Sequence, residues 1–203
     1  MHVNPVLNKK LVMKTLITVL SEAKPEACGV EYRFLGTGAA LLHGVVMPAG
    51  DLDILVKERR GVDVFSEALK GFECLLAPTF LEDMRQYYAE FRVNGVEVDI
   101  STVEIRTDAD WIETYGSGPW THYVSLPCGP FSVPTVKLEL RLITELYRNR
   151  PERYEPIIEF LKTKKFDGDL LRRGTEGLPK GVQTKLFNEL GLRLAMNKTA
   201  RFL

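Results

Sequence analysis

Residues 51–56 read Asp51-Leu52-Asp53-Ile54-Leu55-Val56, and the fold can be worked outward from them. In a strand successive side chains point to opposite faces, so Asp51 and Asp53 share one face while Leu52 and Ile54 enter a core. Two carboxylates held side by side raise the energy of the ionised pair. A cation such as Mg²⁺, which prefers carboxylate and phosphate oxygens, offsets that cost. The stretch therefore predicts a strand that carries a divalent-metal site for Mg²⁺ or Mn²⁺.

Downstream, Met84 to Val93 and Val96 to Thr102 flank Asn94-Gly95, a dipeptide suited to a two-residue type I′ turn, in which both central residues need positive φ. This predicts a hairpin. In its second strand Val96, Val98 and Ile100 alternate with Glu97, Asp99 and Ser101, which puts Asp99 on the polar face. If this strand lies beside residues 51–56, Asp99 joins Asp51 and Asp53, with Glu97 a weaker candidate on the same face. Three carboxylates suit two-metal phosphoryl transfer, in which one ion activates the attacking hydroxyl and the other steadies the triphosphate and the leaving pyrophosphate. Asp99 is then the candidate base.

Upstream, Tyr32 to Leu35 predicts a short strand, Gly36-Thr37-Gly38 a tight turn, and Ala39 to His43 one or two helical turns ending at Gly44. Unpaired N–H groups at such a helix start bind anions, and a glycine lets a phosphate approach the backbone. Gly36 and Thr37 are thus candidate nucleotide-binding residues. No Gly-Lys-Thr or Gly-Lys-Ser follows, which excludes a Walker loop, and the dinucleotide fingerprint is also missing.

Around these pieces the apolar spacing predicts a helix from Val6 to Leu20 ending near Lys24-Pro25, and another from Val62 to Lys70 closed by Gly71. Residues Trp111 to Phe131 read as irregular, with a short strand near Tyr123 to Leu126. From Pro134 onward, through Val136 to Tyr147, Tyr154 to Lys164 and Thr184 to Met196, the pattern is mostly helical. The expected architecture is α+β: a mixed β-sheet flanked by helices in residues 1–132, followed by a helical C-terminal part in residues 133–203.

Phe34-Leu35-Gly36-Thr37, then Asp51-Leu52-Asp53-Ile54, then Val98-Asp99-Ile100 resembles the polymerase-β-like nucleotidyltransferase superfamily. Gly36 to Gly44 ahead of Asp51 looks like the branch that includes lincosamide nucleotidyltransferases and abortive-infection type toxin nucleotidyltransferases, and residues 134–153 are similar to the helix that follows the core there. The resemblance covers most of residues 30 to 165. Thr37 departs from the usual Gly or Ser, keeping a hydroxyl in a bulkier side chain. What the resemblance implies is transfer of a nucleoside monophosphate from a nucleoside triphosphate such as ATP to a hydroxyl acceptor, with release of pyrophosphate. It also implies that Lys137 and Arg141, spaced i, i+4, reach the triphosphate across the cleft. The acceptor could be a small hydroxyl compound, tRNA or a protein, and a toxin-like role would bring a neutralising antitoxin-type partner. The alternative is a catalytically inactive relative that binds nucleotide or a partner.

Composition limits the rest. The chain has 203 residues, with 27 basic and 27 acidic side chains, so no nonspecific nucleic-acid coat is expected. No run of about 18 uncharged apolar residues could span a bilayer, and Lys9, Lys10 and Lys14 interrupt the N-terminal apolar residues unlike a signal peptide, so a cytoplasmic protein without membrane contact is expected. Cys28, Cys74 and Cys128 have unrelated spacings and read as buried small apolar residues. His43 reads as a packing histidine. Lys162, Lys164, Lys165, Arg172 and Arg173 form a basic cluster diluted by Glu159, Asp167 and Asp169. Trp111, Tyr115, Trp120 and Tyr123 offer a stacking surface, with core packing the expected role.

Overall fold

A computed structural model describes residues 7–104, 113–114 and 116–192. The first helix, α1 (Lys9–Ala23), is capped by Asn8, whose side chain accepts from the Leu11 N–H, and ends at Lys24 in the left-handed region. Strand β1 (Tyr32–Leu35) runs directly into α2 (Gly36–His43), so the expected Gly36–Gly38 turn is instead the first turn of that helix. The chain then forms β2 (Asp51–Val56) and α3 (Arg59–Ala68). Next come β3 (Glu73–Leu81), β4 (Gln86–Val93) and β5 (Val96–Ser101). A short helix α4 (Gly118–Thr121) leads to β6 (Tyr123–Cys128) and β7 (Phe131–Val136). Four helices complete the described chain: α5 (Leu138–Tyr147), α6 (Pro151–Leu161), α7 (Gly168–Gly174) and α8 (Lys180–Glu189).

The seven strands form one mixed sheet in the order β3-β4-β5-β2-β1-β7-β6. The β4–β5 hairpin closes on Asn94 and Gly95 at φ 53° and 78°, as a type I′ turn requires. Strand β5 then pairs in parallel with β2, and this placement decides the site. Phe34, Ile54 and Ile100 lie opposite one another across β1, β2 and β5, in the apolar row. They belong to the main core together with Leu16 and Val19 of α1, Ala39 and Leu42 of α2, and Val62 and Phe65 of α3. The other face is covered only in part: Leu35, Leu55 and Val136 meet Leu140 of α5 and Leu170 of α7 in a second, smaller cluster. Carboxylates farther along β2 and β5 are left beside an open cleft. The main core also holds Leu142, Ile143 and Ile157, so α5 and α6 share it with the sheet.

Several expectations need correction. Strand β3 was not anticipated, because its residues are half-buried or exposed without alternation. The helix expected from Pro134 starts at Leu138, since Pro134 and Val136 pair with β6. Cys128 is buried as expected, but Cys28 and Cys74 are exposed. His43 is indeed a packing residue, its Nε2 lying 2.9 Å from the Val136 carbonyl. Two residues of the basic cluster are paired locally, Lys162 with Glu159 and Glu189 and Arg172 with Asp169. Trp120 and Tyr123 stack against the Arg33 guanidinium, whereas Trp111 and Tyr115 lie outside the described residues, as do Val6 and the end of the predicted C-terminal helix. Among the described residues no helix is long and apolar enough to cross a membrane.

Candidate metal centre

Parallel pairing sets Asp53 opposite Asp99 and Asp51 opposite Glu97. Residues directly across a ladder point to the same face. One ligand oxygen from each of Asp51, Asp53 and Asp99 comes within 4.8 Å of the others, in partly exposed positions. The condition placed on the hairpin is therefore met. Glu97 shares the face but is held by Arg92, which also pairs with Glu73. On the far side of Asp99 lies Glu90 of β4, its direct partner.

The crowding has an electrostatic signature. Loss of hydration, then the charges of Asp51 and Asp99, hold the Asp53 carboxyl well above its usual range against the opposing pull of Arg141. Asp99 is pushed up from 3.8 to about 7, first by burial and then by Asp51, Glu90 and Glu97, with a hydrogen bond from Tyr88 acting the other way. Metal-free, the triad does not readily carry three negative charges at neutral pH. A divalent cation removes that conflict, and carboxylate oxygens are the donors that Mg²⁺ or Mn²⁺ takes. The residues present therefore fit a divalent-metal site.

Gly36 explains how close the other wall comes. A Cβ at this position would lie 1.7 Å from Asp53 Oδ2, and the residue sits at φ 76°. Only glycine avoids both problems. Thr37 is buried and lines the same cleft as the triad, an open groove of about 350 Å³.

The opposite wall comes from the C-terminal helices. Arg141 of α5, Arg148 just after it and Arg153 of α6 all line the cleft. Arg141 is buried between two carboxylates: its Nη1 donates to Glu113 at 3.0 Å and its Nη2 to Glu145. Arg153 reaches Glu145 at 3.5 Å. Lys137 is not brought to this site. It is the non-helical N-cap of α5, at φ −58° and ψ 140°, so it does not share a helical face with Arg141; it pairs with Asp167 and lines a separate cavity beside His43. Arg148, Arg153 and Glu113 were not read from the sequence. The arginines lie within the stretch that resembles the post-core helix, but no spacing there marks them out, and Glu113 sits in a turn with no periodic signal.

No protein-family model matches the chain, and no curated protein matches its sequence. Among solved structures, a candidate nucleotidyltransferase from Thermotoga maritima matches at 18% identity and a TM-score of 0.55, covering 80% of this chain and 100% of that one. An antigenic nucleotidyltransferase-like protein from Paracoccidioides brasiliensis matches at 12% identity and a TM-score of 0.52, over 94% of this chain and 96% of the other. The chain thus has an α+β fold, with a mixed seven-stranded sheet flanked by helices, of the kind seen in nucleotidyltransferase-like structures.

Proposed function

We propose that the protein is a metal-dependent nucleotidyltransferase. It would move a nucleoside monophosphate from a nucleoside triphosphate to a hydroxyl acceptor and release pyrophosphate. The observation that carries this reading is the opposition, across one cleft, of the Asp51–Asp53–Asp99 triad and the arginines at 141, 148 and 153. An acidic wall of this kind selects a cation and a basic wall selects phosphate, so the pair selects a metal-bound polyphosphate.

In this reading the chain before residue 133 supplies the acidic wall and the helices after it supply the basic one. Asp51, Asp53 and Asp99 would hold the cation, which when bound supplies positive charge to the triphosphate and acidifies the acceptor hydroxyl. Asp99, beside the acceptor's place at the cation, would take the hydroxyl proton. The hydroxyl oxygen bonds to the α-phosphorus as the bond to the pyrophosphate oxygen breaks. Gly36, Thr37 and the arginine wall position the phosphates, while Lys137 stays outside this group. The acceptor belongs to one of three classes: a small hydroxyl compound, tRNA or a protein, the last two with growth inhibition and an antitoxin-type partner.

Transfer of label from each of four α-labelled nucleoside triphosphates, with Mg²⁺ or Mn²⁺, into RNA, protein or a small-molecule panel tests the proposal. Label is expected in one pool, reduced at least ~1,000-fold in Asp51→Asn and Asp53→Asn. Full activity in either variant would remove the metal assignment. Metal-dependent nucleotide binding without label in any pool would favour the inactive binding module.

A further inference from the structure

The proposed phosphate wall already holds an anion of the protein's own. Glu113 is completely buried, lies in a turn outside every helix and strand, and uses its two oxygens separately. Oε1 accepts the Gly36 N–H at 3.1 Å, and Oε2 accepts from Arg141 Nη1 at 3.0 Å. These are two of the donors that a triphosphate oxygen would need if the function proposed above is right, and this inference rests on that reading.

We infer that Glu113 is an internal phosphate mimic, a carboxylate stopper that nucleotide must displace before it can bind productively. Carboxylate and phosphate oxygens compete for the same donors because both are anionic acceptors at similar distances. Gly36 has one N–H, and it is committed. Arg141 divides its guanidinium between two buried carboxylates, Glu113 on Nη1 and Glu145 on Nη2, and Arg153 also reaches Glu145, so Glu113 is the anion that occupies Nη1. The geometry also keeps the stopper next to the metal site, since Gly36 is packed directly against Asp53. Entry of the triphosphate exchanges one anion for another at Gly36 and Arg141. Arg148 and Arg153 are placed along the same cleft to receive the rest of the polyphosphate chain.

Glu113→Gln keeps the side chain's volume, removes its charge and leaves Glu145 beside Arg141. Calorimetric titration with Mg²⁺-tripolyphosphate, and separately with Mg²⁺-ATP, is expected to show at least tenfold tighter binding in Glu113→Gln than in the parent protein. A thermal melt establishes that the variant is folded. If it is not, the parent protein alone decides: in ¹H–¹⁵N spectra the Gly36 amide is expected to shift as tripolyphosphate binds, because its acceptor changes. Equal or weaker affinity in folded Glu113→Gln, or binding that leaves the Gly36 amide unmoved, would overturn the stopper and leave the nucleotidyltransferase reading standing. No binding by either protein would overturn both.

Discussion

In metal-free buffer at neutral pH, Asp53→Asn is expected to melt above the parent protein, and saturating Mg²⁺ is expected to reverse the order. Asp53 sits against Asp51 and Asp99, with ligand oxygens within 4.8 Å of one another. At that spacing, with an effective dielectric near 20, one pair of charges costs roughly 3 kcal/mol before proton uptake relieves part of it. A net gain of ~2 kcal/mol, or roughly 4–8 °C in a chain of this size, follows from removing one charge. The pH dependence gives an independent check. Asp99 is raised from 3.8 to about 7, so between those values the folded metal-free protein binds more protons than the unfolded chain. Its stability then falls as pH rises through this window, by ~2–4 kcal/mol in all, and stays low above it. Asp53→Asn should flatten the profile, because it removes a second carboxyl that the fold holds above its usual range. A variant that melts no higher than the parent, with an unchanged pH profile, would show that the carboxylates do not repel one another in the folded state.

The second large effect belongs to Gly36. An alanine Cβ would meet Asp53 Oδ2 at 1.7 Å and Asp53 Cγ at 2.7 Å, and the backbone sits at φ 76°. Strand β2 is paired on both sides, so the aspartate's backbone cannot retreat and its side chain must swing away. Gly36→Ala is expected to cost ~2–4 kcal/mol, combining left-handed strain with displaced packing. It should also abolish the Mg²⁺-induced rise in melting temperature expected of the parent. Because alanine adds no charge and removes no ligand, loss of metal binding here would trace the effect to the position of Asp53. An alanine variant that binds Mg²⁺ as the parent does would contradict the close packing of β1, α2 and β2.

These effects could be anticipated to different degrees from the sequence. Strand β2 was legible because Leu52 and Ile54 alternate with Asp51 and Asp53, and the hairpin because Asn94 and Gly95 suit positive φ. Placing Asp99 beside them required one assumption, that β5 pairs with β2, which the parallel register satisfies. Strand β3 was not legible. As an edge strand with Pro78 within it and no fully buried face, it lacks the period-two signal that burial imposes. Strand β7 merged with α5 because Val133, Val136, Leu138 and Leu140 form one apolar run whose change of conformation at Lys137 has no composition marker. Arg148 and Arg153 reach the cleft, and Glu113 reaches Gly36 and Arg141, through tertiary packing alone, so no local spacing announces them.

The parallel union of β2 and β5 has a kinetic consequence. Between Asp53 and Asp99 the chain makes α3, β3 and β4, and the two aspartates meet only after this excursion has closed. Forming such a non-local contact costs loop entropy that is repaid late. During refolding an ion therefore finds no complete site until most of the sheet exists. Added Mg²⁺ should leave the refolding limb of a chevron plot unmoved and lower the unfolding limb, which stopped-flow mixing can measure directly. The cation acts as a latch on the finished sheet, protecting the protein by delaying its opening.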